Sequence, residues 1–155
     1  MINHHFGGKK ALFDAIIEQF STDAMSVPLR LIAEPAASKE EFQFKFRMFV
    51  SETFEIMIAQ REVFQIVSRE NDVVLPMRAF REGFLKFVSD AKTAGYVRAD
   101  AETEMIVGLV LDRLGNQITF AAQVAKGDAE NVVTNLDYRK YWLSANIDLI
   151  LNGLV

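Results

Sequence analysis

Apolar residues recur at intervals of three and four along nearly the whole chain, and only three prolines interrupt the pattern. That is the period of an α-helix, and no stretch longer than four residues alternates in the manner of a half-buried strand. The chain is therefore expected to be all-α, a multi-helix bundle of about six helices. Its 155 residues suit one domain with a sizeable core.

The stripes place the helices. Leu12, Phe13, Ile16, Ile17 and Phe20 mark a first helix from Lys9, expected to continue towards Ile32 with a kink at Pro28. Ser38 with Glu41 three residues on is a capping box, so a second long helix should start there. Phe42, Phe46, Phe49, Ile56 and Met57 make one of its faces and Phe44 and Met48 another, the pattern of a central helix. A short helix over Val63–Val67 follows. Asn71-Asp72 reads as a cap and Pro76 as a first turn. That helix carries Phe80, Phe84, Phe87, Val88 and Ala91, a Glu82–Lys86 pair on its wet side, and Gly95 as its C-cap. Asp100 is expected to cap the next helix, through Val107, Leu111, Leu114 and Ile118 to about Lys126. The last helix begins around Asn135 or Asp137 and bears Tyr141, Trp142, Ala145, Leu149 and Leu151.

Composition excludes several functions. A net charge of −4 argues against a surface that grips nucleic acid throughout, though a small basic element would not show in the total. The absence of cysteine removes disulfides, thiolate metal sites and Cys nucleophiles together. The longest charge-free stretch, Leu114–Ala125, has 12 residues, short of the roughly 20 of a membrane span. With no signal-peptide run at the N-terminus, the expectation is a soluble, cytoplasmic domain without a membrane partner. There is no HExxH, phosphate loop, dinucleotide fingerprint or Ser/His/Asp set in reach, so neither an enzyme nor a cofactor is expected. His4 and His5 point about 100° apart on a helix and have no third ligand nearby in sequence, so no metal is expected.

The most specific segment is the first. Ile2-Asn3-His4-His5-Phe6-Gly7-Gly8-Lys9-Lys10-Ala11-Leu12-Phe13 resembles the end of the DNA-binding domain in tetracycline-repressor-type (TetR family) transcriptional regulators. There a recognition helix ends in His-Phe, a short glycine or serine turn follows, then Lys, and a Leu three residues on. His5, Phe6, Lys9 and Leu12 fall on that pattern, while Asn3 stands where the family more often has Tyr. Physically, Gly7-Gly8 would let the chain reverse with φ > 0. The resemblance implies DNA-phosphate contacts from His5 and Lys9. Ala94-Gly95-Tyr96-Val97-Arg98-Ala99-Asp100 resembles the family's connection into its last two helices. Residues 1–8 would then be a remnant of the DNA-binding domain, and 9–155 the effector-binding and dimerisation domain. A helix-turn-helix needs two helices, and only residues 1–6 precede the turn, so operator DNA is expected only as partner of a full-length form.

Two sets of side chains are candidates for the resembled roles. Phe46, Phe49, Met57, Phe80, Phe84 and Phe120 could line a pocket for a small hydrophobic effector, or be plain core. Gly108, Asp112, Gly115, Thr119 and Ala122 form a stripe of mostly small residues. With Tyr141, Trp142 and Ala145 it could be the two-fold seam of a homodimer, or serve contact within the chain. Glu52 and Glu55 share a face and are expected to be solvated or paired with Arg47 or Arg61. The functional expectation is a repressor's regulatory domain, released from DNA by an apolar or aromatic ligand. The alternative is a helical small-ligand-binding or dimer-sequestering module without DNA binding.

Overall fold

The computed structural model describes residues 2–63, 75–119 and 127–154. The fold is all-α. The helices with both ends in those ranges are α1 (Ile2–Asp23), α2 (Ser26–Leu31), α3 (Lys39–Ala59), α4 (Leu75–Thr93), α5 (Thr103–Thr119) and α6 (Leu136–Leu154), and a 3-10 turn spans Asp128–Glu130. The expected helix over Val63–Val67 and the cap at Asn71-Asp72 lie mostly or wholly outside the described residues.

Local chemistry sets the boundaries. Pro28 has no N–H for the carbonyl of Ala24, and its ring crowds that carbonyl, so the expected kink becomes a break, with α2 starting afresh at Ser26. The Ser38 hydroxyl accepts from the Glu41 N–H at 3.1 Å and starts α3 as the sequence indicates. Gly95, at φ 84°, closes α4 in a Schellman motif: its N–H donates to the Lys92 carbonyl (3.1 Å) and the Tyr96 N–H to the Ala91 carbonyl (2.9 Å). Asp100 does not cap α5. Arg98 holds it with Nε and Nη2 at 3.0 and 2.6 Å, which keeps the Asp100 carboxyl below its usual pKa, and α5 begins only at Thr103. Lys86 likewise pairs with Asp90 (2.7 Å), where Glu82 was the expected partner.

Helix α3 is the hub, touching α2, α5 and α6, while α4 lies against α1, α2 and α5. Phe42, Phe46, Phe49 and Phe54 of α3 are buried, as are Phe80, Phe84 and Phe87 of α4. Phe44 and Met48 are exposed, so α3 is not enclosed on every side as its two apolar faces had indicated. Ion pairs fix α6 on α3: Arg47 to Asp148, and Glu55 to Arg139 at 2.9 Å. The partners of Arg47 and Glu55 thus come from α6 and not from α3 itself. At the far end of α6, the Arg98 backbone N–H donates to the Leu154 carbonyl and its Nη1 to Gly153, a cation on the negative end of the helix dipole.

The N-terminus of α6 hangs on Asn135. Its Oδ1 accepts from the Tyr138 N–H at 3.0 Å and its Nδ2 donates to the Ala129 carbonyl at 3.2 Å. Asn135→Ala should therefore cost about 1 kcal/mol. The urea midpoint should fall at an unchanged m-value; an unshifted midpoint would mean the cap contributes nothing.

Candidate functional site

The candidate pocket residues come together as a layer between α3 and α4. Phe42 meets Phe87 (ring centroids 5.4 Å), Phe46 meets Phe84 (5.7 Å), and Phe49 meets both Phe84 (4.5 Å) and Phe80 (5.3 Å). Numbers rise along α3 as they fall along α4, so the helices run antiparallel and each ring seats on the next. Phe46, Phe49 and Phe84 are 0% exposed. In this state the four described phenylalanines of the set are core, with centroid spacings typical of packed aromatic pairs. Met57 is buried two turns beyond Phe49 on α3, and Phe120 lies outside the described residues.

The small-residue stripe divides in two. A Cβ on Gly115 would stand 3.6 Å from Met57 Cε, and one on Gly108 would stand 3.3 Å from Asp112 Oδ2 and 3.7 Å from Arg81 Nη2. Gly115 thus faces α3 and Gly108 faces α4, and Asp112 bridges to Arg81 at 3.3 Å. Gly108 and Gly115 thus let α5 approach its own neighbours within the chain. Trp142 also turns inward, 5.4 Å from the Phe54 ring. The Thr119 side chain and Ala122 lie outside the described residues.

A different apolar surface is open on the same two helices. Met105 and Leu109 are exposed one turn apart on α5. Tyr141 (71%) and Leu149 (75%) are exposed on α6, two turns apart, with the exposed Ala145 between them. Tyr141 and Ala145 belong to the expected seam. Met105, Leu109 and Leu149 lie outside the small-residue stripe and the expected seam; on α6 the sign legible in sequence is the i, i+4, i+8 run of Tyr141, Ala145 and Leu149. Leu109 also lines a shallow groove of only about 10 Å³ with Val50 and Val110 among its lining, crossed by Arg113 donating to Asn146 at 3.1 Å.

The N-terminal motif departs most from expectation. Gly7 and Gly8 lie inside α1, which runs unbroken from Ile2, and neither has a positive φ. The turn implied by the resemblance is absent from this chain. A reversal adds stability only where the returning segment packs on another layer, and residues 8–12 and 14–16 are exposed. Continued main-chain bonding wins there despite a cost of about 1 kcal/mol per glycine relative to alanine. Lys9 is exposed on that protruding stretch, with Leu12 (63%) and Ile16 on it as well, and the His5 side chain lies outside the described residues.

Among the described residues no helix is long and apolar enough to cross a membrane. No family model matches the chain, and no curated protein and no solved structure matches it.

Proposed function

We propose that the chain is the effector-binding and dimerisation domain of a TetR-type transcriptional regulator, a cytoplasmic repressor released from a palindromic operator by a small apolar or aromatic ligand. The uncovered apolar faces of α5 and α6 are the observation that carries this reading. Met105, Leu109, Tyr141 and Leu149 stand in water in one copy of the chain, and a second copy related by a two-fold axis would cover them. Helix α1 would be the lever. Its inner part rests on α2 and α4, and its outer part projects with Leu12 and Ile16 exposed, a place for DNA-reading helices to seat. A ligand entering between α3 and α4 must part the phenylalanine layer and shift α4, and α4 touches the lever. Release requires that the ligand prefer the shifted state; affinity without preference would change nothing.

The unbroken α1 through Gly7-Gly8 favours a second reading. In it the chain is a helical module that binds a ligand, or sequesters partners, without touching DNA.

DNA binding separates the two. The chain itself should hold a palindromic duplex no tighter than a random one at physiological salt, since α1 brings Lys9 and Lys10 but no braced groove-reading pair. Joined through His5-Phe6 to a helix-turn-helix head of this family, it should bind the head's operator as a dimer, at least about 10³-fold tighter than random DNA. A joined form that stays non-specific would sink the regulator reading.

A further inference from the structure

Thr53 is the one fully buried polar residue among the described residues, at 0% exposure. Its Oγ1 has no hydrogen-bond partner there. In a helix a threonine hydroxyl usually back-bonds to the carbonyl four residues earlier, here Phe49, and this one does not. A buried hydroxyl left without a partner is costly, and a valine of the same shape would avoid that cost.

Its position gives the hydroxyl a use. Thr53 lies on α3 between Val50, which shares a groove with Val110 of α5, and Met57, whose Cε stands beside Gly115 of α5. One turn back along α3 is Phe49, stacked on Phe80 and tilted against Phe84. Thr53 is thus a single buried polar residue on α3, one turn from the aromatic layer on one side and one turn on the other from a methionine whose unbranched side chain can give way.

We propose that Thr53 Oγ1 is the polar anchor of the effector site. The effector it fits is a neutral, compact, largely apolar molecule with one hydrogen-bonding oxygen, a hydroxyl or a carbonyl. Charged ligands are disfavoured because the described core holds no buried charge to pair with them. The assignment rests on the reading above that the effector enters the layer between α3 and α4.

A matched pair of probes, 4-ethylphenol and ethylbenzene, tests anchor and layer separately by calorimetry and thermal shift on the whole chain. Without an anchor the phenol is the poorer ligand, since its hydroxyl loses water and gains nothing. With the anchor the unmodified chain should bind the phenol about tenfold tighter than ethylbenzene. Thr53→Val should abolish that preference while melting higher than the unmodified chain without ligand, and Thr53→Ser should keep it. A preference that survives in Thr53→Val, or equal binding of the two probes by the unmodified chain, overturns the anchor and leaves the layer standing. Failure of both probes to bind the unmodified chain overturns the layer, and the anchor with it.

Discussion

Replacing Phe84 with alanine is expected to cost about 3–5 kcal/mol of folding stability, the range for truncating a fully buried aromatic side chain. Phe84 is 0% exposed and its ring lies 4.5 Å from Phe49 and 5.7 Å from Phe46, on the two sides where α3 meets it. No surrounding side chain can collapse into the gap without leaving its own place in the stack. A domain of this size has roughly 5–15 kcal/mol in all, so the variant should lose a large share of its margin. Phe44→Ala is the internal control. Its ring is on the same helix but exposed, and its loss should stay within about 0.5 kcal/mol. Urea titrations of the two variants would show a large and a negligible shift of midpoint. Similar small shifts would mean the α3–α4 layer is loose in solution, and would restore the phenylalanines as lining of an open cavity. The same burial makes Phe84→Ala a poor test of ligand binding, since folding is damaged first. Thr53→Val does not share that defect.

The sequence carried the core and the caps because both are set by short-range rules. Spacing alone puts Phe42, Phe46 and Phe49 on one face of α3 and Phe80, Phe84 and Phe87 on one face of α4, and those faces meet. Ser38 and Gly95 act through atoms within five residues of themselves. What failed depended on which of several partners a group takes, near or distant. Asp100 is a good cap in isolation, yet the guanidinium fork of Arg98 outcompetes that role. Glycine spacing on α5 indicates that something approaches closely, but not whether it is Met57 of the same chain or a second copy. Gly7-Gly8 fits a turn wherever there is a layer to turn onto, and a helix where there is none. The candidate site is legible to the same degree: spacing indicates which phenylalanines share the layer, whereas threonine is common on helices and the lost bond of Thr53 is visible only in three dimensions.

Assembly should respond to the outward residues and not to the glycines. The unmodified chain is expected to sediment at micromolar concentration with twice its 17.5 kDa mass, through an interface of roughly 2,000 Å² or more. Leu149→Arg should break it. Leu149 is 75% exposed, so the change should leave folding of one copy within about 0.5 kcal/mol. Across a two-fold axis each substitution is made twice, so two new charges enter the same low-dielectric seam. The dissociation constant should weaken at least about 30-fold, the effect of losing one central contact worth 2 kcal/mol, with the repulsion adding to it. Gly115→Leu should behave in the opposite way. Its side chain would strike Met57 of its own core, so melting should fall before the mass does. A Leu149→Arg protein that remains a dimer would place the interface elsewhere on the bundle. An unmodified chain that sediments as a monomer at tens of micromolar would remove the two-fold seam, and with it the principal support for a dimeric regulator.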